Sequence, residues 1–365
     1  MKILFVHNYY TRFLKHFLSE NKEKIACTDY KSHKKLLFDQ LFSVSDFYSQ
    51  GVLRNGHEAI DVVANDWILQ KKWATEHGLR ITTYPPIALE SRIGQQIFLH
   101  TWMEKILEIQ IKEYNPDIVY FLDIESFSFN LLKRVKKNKY TIIAQKASPI
   151  LSSENYRMAD IVFSALPSMV GAFQKKHIRS HYLPFAFEPS VLLKIPKQKK
   201  KYNCTFVGGF SKIHTLGNKL ITEVSKCVHL DIFGYGKEML PCSSEAYQNH
   251  HGEVWGKDMY TVLLQSNMTV NRHVDMAGEY AANIRLFEAT GCGAMLLTDK
   301  KKNLGELFVD NKEVVSYTNA DDLVDKIRYY TNHPRERDRI AKAGQRRTAR
   351  DHTYTKRMKE VLKFL

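Results

Sequence analysis

The sequence lacks any long hydrophobic run, and this absence argues against a membrane-spanning helix. None of its apolar stretches approaches the ~18 residues that a helical span requires. The first apolar run, at 3–6, is also too short for the central region of a signal peptide. We therefore interpret it as a first β-strand.

Cysteine is scarce as well, and its spacing is uninformative for metal binding. No two cysteines form a Cys-x-x-Cys pair, and they are scattered as Cys27, Cys204, Cys227, Cys242 and Cys292. This pattern indicates reduced thiols in a cytoplasm rather than a disulfide scaffold or a zinc site.

Two glycine-containing segments have some features of phosphate-binding loops, but both are incomplete. The segment 234–236 lacks the third glycine of a dinucleotide fingerprint, and no P-loop lysine follows Gly208 and Gly209 at the required spacing. NAD and ATP chemistry are therefore disfavoured, and we predict neither a bound cofactor nor a metal site.

What the sequence does contain is positive charge, because 54 Lys and Arg outnumber 39 Asp and Glu to give +15. Between 326 and 357, eleven Lys or Arg accompany three acidic residues. Such a field attracts nucleic acid, an anionic membrane surface or phosphorylated substrates, although a solvated helix surface explains it equally well. Few aromatic side chains are interleaved with these cations, which makes nucleic acid the least favoured partner.

The apolar pattern of the chain alternates between strands and helices. Predicted strands lie at 1–8, 57–64, 118–122, 140–144, 160–164 and 182–186, and again at 202–207, 229–233, 253–255, 268–271, 294–298 and 314–317. Apolar residues on helical spacing predict helices between them, including 34–55 and 94–114. This alternation implies parallel sheets with right-handed crossovers.

The same pattern occurs twice, which predicts two domains. At 365 residues the chain is too long for one ordinary core. The segment 194–201 holds a proline and five lysines without apolar periodicity, which is typical of a linker. The predicted fold class is α/β, with Rossmann-like parallel-sheet domains at 1–193 and 202–350 that face each other across a cleft.

The most informative segment, 283–298, places Asn283, Arg285 and Glu288 on one helix, which ends in Gly-Cys-Gly and leads directly into an apolar strand. In a doubly wound domain, the start of such a helix lies at the carboxyl edge of the sheet, where nucleotides bind. Arg285 is suited to a diphosphate, and Glu288 can accept hydrogen bonds from two ribose hydroxyls. The segment therefore predicts a nucleotide-sugar site.

Several further motifs follow one another across 200–357. They are Phe206-Val-Gly-Gly-Phe210, the helix at 258–266, Asn271-Arg272, Asn283-x-Arg285-x-Phe287-Glu288-Ala289, Gly291-Cys-Gly-Ala294, His352-Thr-Tyr354 and Arg357. In this order they resemble the GT-B glycosyltransferases, and more narrowly the CgeB/YkvP-like group of the GT4-type clan. The first half agrees only in its βα rhythm and in 115–119.

The resemblance implies a role for each half. The second domain would bind a nucleoside-diphosphate sugar, the first domain would bind the acceptor, and 351–365 would form a last helix that packs back on the first domain. Glu288 would hold the donor ribose. Many GT4-type enzymes carry another Glu eight positions earlier, where this chain has Tyr280. Either the adjacent Glu279 substitutes for it, or this subgroup does without it.

Glycosyl transfer needs positive charge and backbone amides where the leaving diphosphate becomes more negative. The predicted donor-binding residues are Gly208, Gly209, Lys212, Asn271, Arg272, Asn283, Arg285 and Glu288. Arg285 is the first candidate for the cation, followed by Lys212 and Arg272. The two glycines would let the backbone approach a phosphate, and Asn283 either joins the site or caps its helix.

The predicted catalytic residues are His7, Asp123 and Glu279. His7 ends the first strand and could act as a general base on an acceptor hydroxyl. Asp123 also follows a strand and is a second candidate for the base or for acceptor binding. With Glu125 it forms an Asp-x-Glu pair that could hold a divalent cation, but we favour a metal-independent reaction.

The predicted function is transfer of a sugar from a UDP, GDP or dTDP type of donor to an acceptor. That acceptor could be a glycan, a glycolipid, a protein or a small molecule. The alternatives are a nucleotide-sugar epimerase or hydrolase on the same fold, and a non-catalytic module that binds polyanions or nucleotides. An anionic membrane surface is a further candidate partner through the basic patches, at the inner face of a membrane.

Overall fold

The computed structural model describes residues 1–80, 102–146, 154–212 and 214–365. The chain divides into two compact units, Met1–Leu183 and Pro184–Leu365. Each unit contains its own parallel β-sheet, with helices packed against it. This confirms the predicted α/β class with two Rossmann-like parallel-sheet domains.

The first unit is organised around a sheet with six strands in the described residues. They are β1 (Lys2–His7), β2 (Glu58–Val63), β3 (Ile118–Phe121), β4 (Thr141–Lys146), β5 (Ile161–Ser164) and β6 (Ser180–Tyr182). All pairings are parallel, in the order β2-β1-β3-β4-β5-β6. The apolar residues 3–6 of β1 are completely buried, as expected for a parallel strand covered on both faces.

The helices of the first unit connect these strands. They are α1 (Thr11–Glu20), α2 (Lys22–Ala26), α3 (Tyr30–Phe38), α4 (Phe47–Leu53), α5 (Trp67–Glu76), α6 (Glu104–Tyr114), α7 (Phe129–Lys137) and α8 (Pro167–Gln174). Asp29, Asp66 and Ser128 cap α3, α5 and α7, each by accepting a backbone N–H of the first turn. The predicted helix 94–114 lies partly outside the described residues, before residue 102.

The second unit is organised around another parallel sheet. Its strands are β7 (Tyr202–Val207), β8 (Asp231–Phe233), β9 (Ser266–Asn271), β10 (Met295–Asp299) and β11 (Val315–Tyr317). Their order is β11-β10-β9-β7-β8. The chain runs from β7 to β8 and then returns to the other side of β7 as β9. The connections therefore diverge between the carboxyl ends of β7 and β9, which is where ligands bind in open α/β sheets.

The second unit also contains helices. They are α9 (Val191–Lys194), α10 (Thr215–Ser225), α11 (Glu245–Gln248), α12 (Gly256–Gln265), α13 (Arg285–Gly291), α14 (Leu304–Leu307), α15 (Ala320–Asn332), α16 (Pro334–Asp351) and α17 (Tyr354–Leu362). α10 packs against α15, α12 packs against α13, and α16 packs on α13 and β10. None of the helices that the structure describes has the length and apolar character needed to cross a lipid bilayer.

The single helix predicted at 34–55 is wrong. α3 ends at Phe38, and the turn before α4 contains Leu41, Ser43 and Ser45 with positive φ. Residues in the left-handed region cannot continue a right-handed helix. Ser45 Oγ closes the turn by donating to the Phe38 carbonyl at 2.8 Å.

Two of the predicted strands are also corrected. The segment 253–255 forms no strand but leads into α12, where the Trp255 ring lies nearly parallel to Tyr235, with centroids 6.1 Å apart. The strand predicted at 182–186 begins earlier, because Ser180 already pairs with Val162 of β5. The other predicted strands coincide with observed ones within a few residues.

The division between the units falls after Leu183. Within the second unit, Lys200 Nζ donates to the carbonyls of Ser266 at 2.6 Å and Gly293 at 3.3 Å. The end of the lysine-rich segment is therefore tied to the start of β9 and to the turn before β10. The predicted linker at 194–201, and the return of 351–365 to the first domain, stay predictions.

Candidate functional site

The two glycine-containing loops at the carboxyl edge of the second sheet pack directly on each other. Phe210 N donates to the Tyr235 carbonyl at 2.9 Å. A Cβ at Gly209 would lie 2.1 Å from Cζ of Tyr235, and one at Gly234 would lie 2.1 Å from the Gly208 carbonyl oxygen. Both glycines are therefore required by loop packing. The predicted approach of Gly208 and Gly209 to a phosphate stays a prediction.

Arg272 crosses the point where the connections of this sheet diverge. It follows β9, and its Nη2 donates to the Gly209 carbonyl at 3.0 Å and to Asn218 Oδ1 at 3.1 Å. Its guanidinium carbon lies 5.3 Å from the centre of the Phe206 ring. Burial lowers the pKa of Arg272, but a guanidinium stays charged at neutral pH. The result is a fixed positive charge at this topological switch point, where the connections of the sheet diverge between β7 and β9.

Asn283 connects the start of α13 to the end of β9. Its Nδ2 donates to Asn271 Oδ1 at 2.8 Å and to the Arg272 carbonyl at 3.1 Å. Its Oδ1 accepts the Leu286 amide at 3.3 Å, which caps α13. Asn271 in turn donates to Thr298 Oγ1 at 2.9 Å. The structure thus brings Asn271, Arg272 and Asn283 together beside the glycine loops.

Arg285 and Glu288 interact with each other on α13. Nη1 of Arg285 lies 2.8 Å from Glu288 Oε2 and 2.8 Å from the sulfur of Met259. Tyr260 of α12 donates to Glu288 Oε1 at 3.2 Å. Glu288 is only 2% exposed, and burial raises its pKa against the opposing effects of Arg285 and Tyr260. Both side chains have partners inside the protein, so their roles toward diphosphate and ribose stay predictions.

The other two predicted residues of this unit lie apart from that pair. Lys212 is exposed in the loop after β7, where its carbonyl accepts from Thr215 Oγ1 at 3.2 Å. Glu279 is exposed and forms an ion pair of 2.7 Å with Lys302, after β10. Among the described residues, neither forms a hydrogen bond or an ion pair with Arg285 or Glu288. The substitution of Glu279 for the missing Glu at 280 stays a prediction.

The structure reveals a pair that sequence reasoning missed, the buried His273 and the partly exposed Asp299. His273 Nδ1 lies 2.6 Å from Asp299 Oδ1, which also accepts the His273 amide at 3.2 Å. Burial acts to raise the pKa of Asp299, but His273 and Lys301 outweigh it and hold that pKa below its usual value. Nε2 of His273 is buried without a hydrogen-bond partner in the part of the chain that the structure describes. Polar residues at the ends of two adjacent parallel strands were the available signal.

In the first unit, His7 is held by Asp61 of the neighbouring strand. Its Nε2 lies 2.8 Å from Asp61 Oδ1, and its ring packs beside Tyr9 and Phe38. His7 is 1% exposed, and its Nδ1 has no hydrogen-bond partner among the described residues. An oriented imidazole with one unused nitrogen is suited to proton transfer. The assignment as a base stays a prediction.

Asp123 and Glu125 have separate partners. Asp123 Oδ2 accepts from Ser126 Oγ at 2.5 Å and from Asn8 Nδ2 at 3.3 Å. Glu125 forms an ion pair with Lys146. No cluster of three or more His, Cys, Asp or Glu side chains that could hold a metal occurs in the described ranges. In this arrangement the carboxylates of the Asp-x-Glu pair do not share a site.

Comparisons with known proteins agree with the architecture. The profile of a family described as "Glycosyl transferase-like" matches residues 212–363. HepE from Anabaena, solved with UDP-glucose, is 13% identical with a TM-score of 0.59 over 100% of each chain. Sucrose-phosphate synthase from Thermosynechococcus elongatus is 10% identical with a TM-score of 0.59, over 100% of this chain and 98% of that one. The chain has the GT-B fold.

A third solved structure matches the chain over a similar extent. A glycosyltransferase from Rickettsia africae is 12% identical with a TM-score of 0.56, and the match covers 100% of this chain and 97% of that one. A search of the curated proteins found no match. The likeness to the solved structures therefore covers both parallel-sheet units, whereas the family profile covers most of the second unit alone.

Proposed function

We propose that the protein is a metal-independent glycosyltransferase of the CgeB/YkvP-like group. It moves a sugar from a nucleoside-diphosphate donor, bound by the second unit, to an acceptor bound by the first. The observation that carries the proposal is the guanidinium of Arg272, which Gly209 and Asn218 hold at the switch point of the second sheet. UDP is the first donor nucleotide to test, because HepE was solved with UDP-glucose.

In this reaction an acceptor oxygen bonds to the anomeric carbon as the bond from that carbon to the diphosphate breaks. Negative charge then grows on the leaving diphosphate, and Arg272 would stabilise it. Because its hydrogen bonds to Gly209 and Asn218 are already formed, the charge needs little reorganisation when the donor arrives. The unpartnered Nε2 of His273, two residues after β9, offers a second polar contact at the same edge.

The acceptor hydroxyl must lose a proton, and we propose His7 as the base. Asp61 accepts from one imidazole nitrogen, which leaves Nδ1 for the proton and stabilises the imidazolium that forms. Asp123 is the competing candidate. His7→Gln should abolish transfer while preserving donor binding, and Asp123→Asn distinguishes the two residues, because only the true base eliminates turnover.

The family profile, which describes glycosyl transferase-like proteins, favours transfer over the epimerase or hydrolase alternative. The three reactions differ in their products. An epimerase converts the nucleotide sugar without an acceptor, and a hydrolase releases the nucleotide and free sugar into water. A transferase releases nucleotide in step with a glycosylated acceptor, so product analysis with and without added acceptors separates them.

The first test is nucleotide binding, measured by thermal shift and calorimetry with UDP, GDP and dTDP. A ligand at 100 times its Kd should stabilise the protein by about 2.7 kcal/mol. Arg272→Lys and Arg272→Met both disrupt the bonds to Gly209 and Asn218, but only lysine keeps the charge. We expect nucleotide binding to survive in Arg272→Lys and to fail in Arg272→Met.

The matched control is Arg328→Met, which removes an exposed arginine of α15 whose Nη2 contacts the Cys227 carbonyl. This variant should bind nucleotide like the unaltered protein. If no nucleotide binds to the folded protein, or if Arg272→Met binds as well as the control, the proposed donor site is wrong.

A further inference from the structure

One surface of the second unit combines exposed leucines with a dense set of cations and takes no part in the site described above. It is formed by the excursion 188–199 and by the outer face of α16, and we name it the leucine–cation surface. We propose that this surface docks the protein on an anionic phospholipid membrane. The proposal does not depend on the transfer reaction.

The excursion presents two adjacent leucines to solvent. Leu193 is 88% exposed and Leu192 is 37% exposed, whereas Val191 and Ile195 on either side are buried and anchor the segment. Three exposed lysines follow, Lys194, Lys197 and Lys199. A large apolar side chain held out beside lysines is typical of segments that insert into the interface of a bilayer.

The cations of α16 lie on the face opposite its buried side. Ile340 and Gly344 face the protein interior. At helical spacing on the other side are four exposed cations, Arg335, Arg339, Lys342 and Arg346. Together with Asp338 they line a shallow depression of about 410 Å³. Asp338 is itself paired with Arg337 at 3.0 Å, so the depression keeps a strong positive charge.

The two parts of the leucine–cation surface meet at the turn 291–293. At one end of the excursion, the Phe187 ring packs on Gly291, where an added Cβ would lie 2.5 Å from the ring. At the other end, Lys200 Nζ donates to the Gly293 carbonyl at 3.3 Å. Gln345 of α16 donates to the Gly291 carbonyl at 3.0 Å. Both ends of the excursion and α16 therefore contact the same turn, on the amino side of β10.

The exposed leucines decide between a membrane and a nucleic acid as the partner. Cations alone would suit any polyanion, including a phosphodiester backbone. An exposed Leu gains nothing from a sugar-phosphate backbone, but it loses its contact with water when it enters the boundary between headgroups and acyl chains. Lys and Arg beside it gain from anionic headgroups at the same depth. One surface with both properties matches an anionic bilayer.

Sedimentation of the full chain with vesicles tests the proposal. One set of vesicles contains phosphatidylcholine alone, and the other also contains phosphatidylglycerol. The test variants are Leu193→Asn and the double variant Arg339→Glu/Arg346→Glu. Their controls are Leu53→Asn, at an exposed leucine of the first unit, and Lys133→Glu/Lys137→Glu on α7, which changes the net charge equally.

We expect the protein to sediment with the anionic vesicles and not with phosphatidylcholine alone. The double variant on α16 should weaken this binding by at least about tenfold, and Leu193→Asn should weaken it severalfold, whereas both controls bind normally. Equal loss in the charge control would show a non-specific effect of net charge and overturn the proposal. The proposal would also be overturned if the protein bound a DNA oligomer but not vesicles, and if the double variant on α16 abolished that DNA binding. UDP binding by these variants should be unchanged, so failure here is distinguishable from failure of the donor site.

Discussion

Arg285 and Glu288, one turn apart on α13, form an ion pair of 2.8 Å that Tyr260 completes from α12. The sequence suggested that the two residues would contact different parts of a donor. The structure instead makes the charge of a buried carboxylate depend on its neighbouring arginine. If Glu288 binds a ribose, it does so as a carboxylate whose charged form Arg285 stabilises. The effects of replacing the two residues should therefore be coupled.

Replacing Arg285 should destabilise the protein more than replacing Glu288. Arg285→Met leaves a buried carboxylate without its cation, which costs about 3–5 kcal/mol. Glu288→Gln removes the charge but keeps a group that can accept from Tyr260, so its cost is smaller. In urea unfolding, the double variant should lose less free energy of unfolding than the two single variants lose in sum. Simple additivity would contradict the coupling.

The pH dependence of the Arg285→Met variant gives a second measurement. Burial raises the pKa of Glu288, and Arg285 opposes that rise. A carboxyl group whose pKa is higher in the folded than in the unfolded state stabilises below the unfolded pKa, and this stability is lost as pH rises through the folded pKa. The variant should therefore recover part of its lost stability in mildly acidic solution relative to neutral solution. A constant deficit across that range would mean that Glu288 is not the buried charge responsible.

Most strands of the fold were predictable from the sequence, because buried apolar runs such as 118–122 and 294–298 indicate parallel strands directly. The break within 34–55 was not, because Leu41, Ser43 and Ser45 adopt positive φ without any glycine to signal it. That turn is set by tertiary contacts, including the Ser45 hydrogen bond to Phe38, and apolar periodicity does not report them.

The candidate site shows a similar limit of sequence reasoning. The residues that follow the strands could be placed at one edge, because parallel strands end together there. Their partners could not be predicted, since they depend on neighbours far away along the chain. Arg272 binds the carbonyl of Gly209, and Asp299 binds His273, through contacts that only the strand order brings about.

Gly209→Ala should disturb the packing of the two glycine loops. The added Cβ would lie 2.1 Å from Cζ of Tyr235, so the ring or the backbone must move. Overpacking of this kind costs about 1–3 kcal/mol, and we expect weaker nucleotide binding as well. Thermal or urea unfolding measures the first effect, and calorimetry with UDP measures the second.

Two further variants identify the cause of the Gly209→Ala defect. Gly171→Ala changes a helical glycine of α8 with no atom within 4 Å of the new Cβ, and it should be neutral or stabilising by up to about 1 kcal/mol. Combining Gly209→Ala with Tyr235→Ala should relieve much of the cost, because the clashing ring is gone. If the double variant is as impaired as the sum of its parts, contact with Tyr235 is not the reason.

His352 should make stability depend on pH. Its Nε2 lies 2.8 Å from the Leu307 carbonyl and must carry the hydrogen, while Nδ1 accepts from Arg357 Nη2 at 2.8 Å. Burial, aided by the charge of Arg357, lowers the pKa of His352 from 6.5 to about 4. Between these values the unfolded state binds the proton and the folded state does not. The contribution of His352 to the free energy of unfolding is therefore fully present above about pH 6.5. It is lost as the pH falls toward 4, which lowers the free energy of unfolding by on the order of 3 kcal/mol.

The measurement is urea unfolding of the unaltered protein and of His352→Gln across this pH range. Because glutamine does not titrate, the free energy of unfolding of the variant should change less steeply with pH. The difference in slope corresponds to the binding of up to one proton. Its stability above the range will be lower, because the contacts to Leu307 and Arg357 are altered. Parallel pH profiles for the two proteins would rule out His352 as the titrating group.

The last prediction concerns His273. With Nδ1 committed to Asp299, the only unused polar atom of this buried ring is Nε2, two residues beyond the end of β9. We expect it to contact the bound nucleotide sugar, so His273→Ala should weaken donor binding by about tenfold or more, as for the loss of one good hydrogen bond. Asp299→Asn should weaken it less, because the imidazole remains but is no longer held by a charge.

A second His–Asp pair on the same sheet, with an exposed histidine, provides the control for His273. His251 Nε2 lies 2.9 Å from Asp231 Oδ1 beside β8, so His251→Ala removes a similar His–Asp contact. Calorimetry with UDP and with UDP-glucose then separates structure from recognition. A contact to the sugar lowers the affinity for UDP-glucose alone, and a contact to the diphosphate lowers both. If His273→Ala and His251→Ala bind both ligands equally well, the buried Nε2 takes no part in donor binding, and the pair serves only to hold β9 and β10 together.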